Sequence, residues 1–184
     1  LYQRSGLGKA LVVGRVDDVR EKLSKEGLAD AVEELDVVNA ANTEHLETYK
    51  NFLYQRLQRE GFDHQDVHRM ASRDRHVFAA LMLAHGHADG MVTGATRKSA
   101  QVLELINHVF DAEPHHGAVG VTAVLNKGKI VLISDTLVHE WPDEHDLANI
   151  AESGAGVARH LGLDPRVAFV SFSTFGYPVS ERAE

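Results

Sequence analysis

The sequence predicts an α/β fold: a mostly parallel sheet flanked by helices. Three observations carry this reading. Short apolar runs alternate with amphipathic segments, those runs are hydrophobic throughout instead of at every second residue, and glycines close most segments. The chain has 184 residues, 43% hydrophobic and 25% charged, the balance of an ordinary globular protein.

Lys9 to Gly14 is an apolar run closed by glycine, and Asp17 is placed to cap a helix with core positions Val19 and Leu23 and a stop at Gly27. Asp36-Val-Val38 reads as a second strand. Thr43 then caps a helix with Leu46, Tyr49, Leu53 and Leu57 on one stripe, ending before Gly61. Asp63 with Asp66 opens a third helix, and Val77, Phe78, Leu81 and Met82 mark the buried face of a fourth that ends near Gly86. Asp89 to Gly94 reads as a buried strand leading into a helix with Val102, Leu105, Ile106 and Val109 inward. Val119 to Leu125 and Ile130 to Ser134 flank Asn126-Lys-Gly-Lys129, where Asn and Gly suit a tight hairpin, so this pair is antiparallel. A helix from Pro142-Asp143 to Gly162 carries Leu147, Ile150, Ala151, Gly154, Ala158 and Leu161, and a buried strand, Val167 to Phe172, follows.

Composition excludes several functions. With no cysteine there is no disulfide framework, thiolate metal site or cysteine nucleophile. The net charge of −8 disfavours nucleic acid as a partner, because phosphate backbones need concentrated Lys and Arg. No apolar run reaches the roughly 20 residues of a membrane span, and Leu1 to Lys9 do not form a secretion signal. A cytoplasmic home is the expectation.

Ligands of open α/β sheets bind beyond the carboxyl ends of strands. Two turns stand there. Thr93-Gly-Ala-Thr-Arg-Lys-Ser99 joins a strand to a helix and offers backbone amides, hydroxyls and the cations Arg97 and Lys98, the ingredients of an anion site. The plain alternative is a solvated glycine turn. It is neither a P-loop nor a Gly-x-Gly-x-x-Gly fingerprint. Arg97, Gln101, Glu104 and His108 share the polar face of the following helix, with Arg97 and Glu104 about 10 Å apart along its axis. The second turn, Ser173-Thr174-Phe175, ends the last strand, but no Gly-x-Ser-x-Gly elbow marks a serine nucleophile. His64 and His68 have the i, i+4 spacing of paired metal ligands, yet no His-Glu-x-x-His accompanies them and chance pairs are common among 12 histidines. No metal site and no catalytic residue is assigned. Trp141 beside Pro142 reads as a packing residue.

Ala88-Asp-Gly-Met-Val-Thr-Gly-Ala95, Leu132-Ile-Ser-Asp-Thr136 and Val170-Ser-Phe-Ser-Thr174 stand in the order found in the phosphotransacetylase family, which the chain resembles over nearly its whole length. Gly94-Ala-Thr-Arg97, Gly128 to Thr136 and Ser173 to Arg182 are more narrowly similar to the phosphotransacetylase-like domain that follows the catalytic domains of hybrid bacterial NADP-dependent malic enzymes. The resemblance implies a two-lobed unit of the isocitrate- or isopropylmalate-dehydrogenase-like kind, present as a fragment. Its first lobe would run over 1–93 and its second mainly over 94–184. It also implies a homodimer or larger homo-oligomer, an acyl-CoA site between lobes, and acetyl-CoA as effector of the malic enzyme domains of the same chain. NADP and a divalent metal, Mg or Mn, would serve the parent enzyme.

On that resemblance Thr93, Gly94, Thr96, Arg97, Lys98 and Ser99 would hold the effector's phosphates, with Ser173, Thr174 and Phe175 on the opposite wall. The departures from active phosphotransacetylases point away from catalysis. Those enzymes carry His-Thr-Thr or His-Ser-Ser where this chain has Thr96-Arg-Lys98, arginine in place of Glu104, and lysine in place of Phe175. A carboxylate replacing a cation about 4 Å from a phosphate reverses an interaction of roughly 4 kcal/mol at an effective dielectric near 20. The family's Ser-Arg segment with its following Asp would fall beyond Glu184. The expected function is regulatory acetyl-CoA binding, the alternative an active phosphate acetyltransferase.

Overall fold

The computed structural model describes residues 2–29, 35–112, 117–171 and 177. Its contacts divide the chain into two units, Leu1–Asp111 and Ala112–Glu184.

In the first unit, β1 (Leu11–Val13) and β2 (Asp36–Val38) pair in parallel, with Val12 opposite Val37. Between them lies α1 (Val16–Lys25), which carries Asp17 and Asp18 in its first turn and Lys22 and Lys25 in its last, each sign at the end the helix dipole favours. Arg15, not Asp17, holds the N-cap position and pairs with Asp18. Gly27 follows with φ 72°, a left-handed conformation that ends the helix.

Four helices build the core. The Thr43 hydroxyl accepts the His45 amide just ahead of α2 (Leu46–Leu57), so His45 and not Thr43 is the N-cap. Asp63 and Asp66 form a capping box on α3 (His64–Arg73), and Asp74 caps α4 (Arg75–Ala84). Tyr49, Leu53 and Leu57 of α2 meet Val67 and Ala71 of α3 and Val77, Phe78 and Leu81 of α4 in one buried cluster. Each large apolar side chain so buried contributes about 1.5–3 kcal/mol. Next, α5 (Ser99–Asn107) packs on α4, with Val102 and, just beyond its end, Val109 buried. Arg56 of α2 clasps that end: two guanidinium nitrogens donate to Asp111 at 2.9 and 2.7 Å and a third to the His108 carbonyl at 3.2 Å. With α5 packed on α4, the first compact unit extends to Asp111.

In the second unit, β3 (Val121–Asn126) and β4 (Lys129–Ser134) form the expected antiparallel hairpin. Its turn residues are Lys127 and Gly128, with φ 48° and 77°, while Asn126 ends β3 instead of turning. The hairpin leaves Val124, Val131 and Ile133 exposed. Asp143 and Asp146 form the capping box of α6 (Glu144–His160), which lies on β4 and buries Ile150, Ala155 and Ala158. Leu147 and Leu161, expected on that stripe, are exposed. At Gly154 an added Cβ would lie 3.2 Å from the Ser134 hydroxyl, so the missing side chain lets helix and strand approach closely.

Two expected strands are not formed. Residues 89–94 have no ladder partner among the described residues, and Val92 is fully exposed. Residues 167–171 likewise form no ladder among the described residues; Phe169 is 68% and Val170 92% exposed, and Phe172 lies outside the described residues. Apolar composition marks a segment that suits a sheet interior, but a strand also needs a neighbour for its amides. The α/β class stands, with two two-stranded sheets in place of one mostly parallel sheet among the described residues. Trp141, expected to pack, is 68% exposed.

Candidate functional site

The loop from Thr93 to Ser99 takes its shape from two successive left-handed residues, Gly94 at φ 127° and Ala95 at φ 61°. The second is unusual for a residue with a Cβ. The Thr96 amide closes this turn on the Gly94 carbonyl at 2.8 Å, so it is spent within the loop. Lys98 then takes the N-cap position of α5 in an extended conformation, and no side chain caps that helix. The first-turn amides of α5 and the exposed side chains of Lys98 and Ser99 therefore face outward without a capping acceptor, which is the arrangement that attracts anions.

The first turn of α4 holds this loop at both ends. His76 Nδ1 and the Thr93 hydroxyl share a hydrogen bond at the loop's start. At the other end, Arg97 Nη1 donates to Asp74 Oδ2 at 2.6 Å. The other oxygen of Asp74 accepts the His76 and Val77 amides at 2.9 and 3.3 Å. Burial works to raise the Asp74 carboxyl, but Arg97 and those two amides outweigh it and hold the group below its ordinary range. His76 is 2% exposed, and its Nε2 is buried without a partner in the described structure. Burial pushes its pKa down; the cations of Arg97 and Arg75 reinforce this, while Asp74 opposes it.

Arg97, expected to face a ligand, pairs with Asp74 and keeps 40% of its side chain exposed. Lys98 has no ion-pair partner among the described residues, and Glu104 stands exposed on α5. Ser173, Thr174 and Phe175 lie outside the described residues. Asp74 and His76 are the residues that sequence reasoning missed. An Asp one residue before an apolar helical run is a cap signal, but its link to a residue 23 positions away leaves no local trace.

Asp135 in the second unit is an organising centre. Its Oδ1 accepts the amides of Gly120, Leu137 and Val138, and its Oδ2 accepts the His139 amide and, at 2.6 Å, His139 Nδ1. Burial alone would raise this carboxyl; the hydrogen bonds overcome it and hold the group far below the usual carboxylate range. His64, weighed as a metal ligand, stacks on Tyr54 at 3.8 Å.

A sequence profile of the phosphate acetyl/butaryl transferase family matches residues 1–184. The chain belongs to that family. It is 44% identical to the NADP-dependent malic enzyme of Rhizobium meliloti over 183 residues, which are 100% of this chain and 24% of that protein. With the phosphate acetyltransferase of Thermoanaerobacterium thermosaccharolyticum it shares 25% identity, covering 94% of this chain and 54% of that one. The crystal structure of a phosphotransacetylase from Streptococcus pyogenes superposes with a TM-score of 0.81 at 24% identity over 98% of this chain and 54% of that chain, a likeness of fold. The chain thus spans about a quarter of the malic enzyme's length and about half of the acetyltransferase's. Within the phosphate acetyl/butaryl transferase family, these matches set the two functional readings side by side.

Proposed function

We propose that this chain is a regulatory acyl-CoA-binding module of an NADP-dependent malic enzyme, with acetyl-CoA as its effector. The observation that carries the reading is the Thr93–Ser99 loop: an uncapped helix N-terminus flanked by Arg97 and Lys98, with the carboxylate of Glu104 exposed on the same helix. The 44% identity to a malic enzyme along the whole chain supports the parentage. In this reading the CoA phosphates rest on the α5 amides and the two cations, while Glu104 disfavours a second anion nearby. The parent chain oxidatively decarboxylates malate to pyruvate and assembles as a homo-oligomer. In this reading NADP and its Mg or Mn ion belong to other parts of that protein.

Effector binding alters a distant catalytic domain only as far as it prefers one arrangement of the protein. The experiment is a titration of malate-dependent NADP reduction with acetyl-CoA in the full-length protein and its Arg97→Ala variant. The variant should need several-fold more acetyl-CoA for the same change in rate while keeping its effector-free rate. An unchanged response curve removes Arg97 from the site and overturns the acyl-CoA reading of the loop. The rival is an active phosphate acetyltransferase, favoured by the match to enzymes of that name. Robust acetyl phosphate formation from acetyl-CoA and phosphate would replace the regulatory reading with that one.

A further inference from the structure

The N-termini of α4 and α5 meet at a single ion pair. Asp74 stands at the first and Arg97 one residue ahead of the Lys98 cap of the second, joined at 2.6 Å. The two carboxylate oxygens divide their work: Oδ1 caps α4 through two amides, and Oδ2 faces Arg97. Asp74 is the less accessible partner, its side chain 17% exposed against 40% for Arg97. The carboxylate is therefore fixed by the backbone of α4, and the guanidinium at the surface is the mobile member. Arg75 adds a further positive charge close enough to act on His76.

We propose that Asp74 sets the anion affinity of the Thr93–Ser99 loop by serving as the resident counter-ion of Arg97. An incoming phosphate does not meet a free guanidinium. It must draw Arg97 away from Asp74 or bind beside a carboxylate, and either route weakens its hold. The loop then retains only anions that make enough further contacts, with the α5 amides and Lys98, to compete with an internal carboxylate. Asp74 is in this sense an affinity-determining residue that touches no ligand itself. The proposal rests on the reading of the loop as an acyl-CoA phosphate site, and its test separates the two.

Asp74→Asn is the informative variant, since asparagine caps helices as well as aspartate does. Its carbonyl oxygen can keep the two α4 amides, while the NH2 now facing Arg97 is a donor against a donor, so Arg97 is released. Asp74→Ser is a second neutral cap should the first variant fold poorly. Acetyl-CoA binding to the full-length wild type, Asp74→Asn, Arg97→Ala and the double variant is measured by calorimetry. The counter-ion role requires Asp74→Asn to bind about tenfold more tightly, and this gain to vanish when Arg97 is also replaced. Equal or weaker binding by Asp74→Asn and Asp74→Ser overturns it. Should Arg97→Ala leave acetyl-CoA binding unchanged, the acyl-CoA reading of the loop fails. Inorganic pyrophosphate then decides the counter-ion role alone: tighter pyrophosphate binding by Asp74→Asn than by wild type supports it, and no difference refutes it.

Discussion

His76 on α4 holds the Thr93 hydroxyl 17 residues further along the chain, and this single imidazole ties the start of the candidate anion loop to the helical core. Its pKa lies below the ordinary value of 6.5 because burial, Arg97 and Arg75 all disfavour the cation. The folded protein thus binds this proton less readily than the unfolded chain does. Stability from this group is complete above pH 6.5 and declines as pH falls below it, where the unfolded chain takes up a proton that the fold resists. Thermal unfolding followed from pH 7.5 to 5 should show a falling midpoint, and His76→Gln should flatten that slope. A slope identical in the variant would assign the effect to other histidines.

Leu53 has no exposed surface and sits at the centre of the α2–α3–α4 cluster. Leu53→Ala should cost about 2–5 kcal/mol, the transfer of the lost methyl groups plus the cavity they leave. Chemical denaturation of the pair of proteins measures it, and a loss below about 1 kcal/mol would mean that the surrounding helices collapse onto the gap.

Tyr49 makes a 2.6 Å hydrogen bond through its hydroxyl to His87 Nδ1, while His45 stacks on His87 at 4.1 Å. Removing the hydroxyl alone, in Tyr49→Phe, keeps the ring against Phe78 and should cost about 1 kcal/mol. Burial, reinforced by His45 and His85, holds the His87 pKa below its ordinary value, and loss of the hydroxyl's hydrogen bond to Nδ1 should move the titration of that ring as followed by nuclear magnetic resonance. A spectrum in which His87 titrates as before would show that the hydroxyl exerts no hold on it.

Gly120 donates its amide to Asp135, and an added Cβ there would lie 2.7 Å from both Asp135 Oδ1 and Leu137 Cβ. Neither neighbour is the free end of a flexible chain, so Gly120→Ala must push the Asp135 turn aside. A loss of about 1–3 kcal/mol is expected, as for overpacking elsewhere. Hydrogen exchange at the Leu137, Val138 and His139 amides reads this locally: faster exchange in the variant is the expected sign, and unchanged protection would show that the turn accommodates the methyl group.

What was legible in the sequence follows from the range of the interactions involved. Leu46, Tyr49, Leu53 and Leu57 announce their helix because the 3.6-residue period is local, and Asp63 with Asp66 announces the next start for the same reason. The Lys127-Gly128 turn was readable in place but not in detail, since the left-handed conformation fell on Lys127 and not on Asn126. The segments 89–94 and 167–171 misled because an apolar run reports burial preference and not the presence of a pairing strand. In the candidate site, the loop's glycine, cations and hydroxyls were visible, whereas Asp74 and His76 were not. Their partners lie 23 and 17 residues away, and no periodicity encodes such a pairing.

The β3–β4 hairpin has two free edges among the described residues, and each presents a row of backbone groups ready to accept another strand. Lysines at 127 and 129 guard only the turn end, while Val124, Val131 and Ile133 lie bare along its length. Concentrated solutions of a polypeptide limited to these residues would therefore tend to self-associate by strand addition, and a charged replacement at Val131 is the simplest means of keeping such a preparation dispersed.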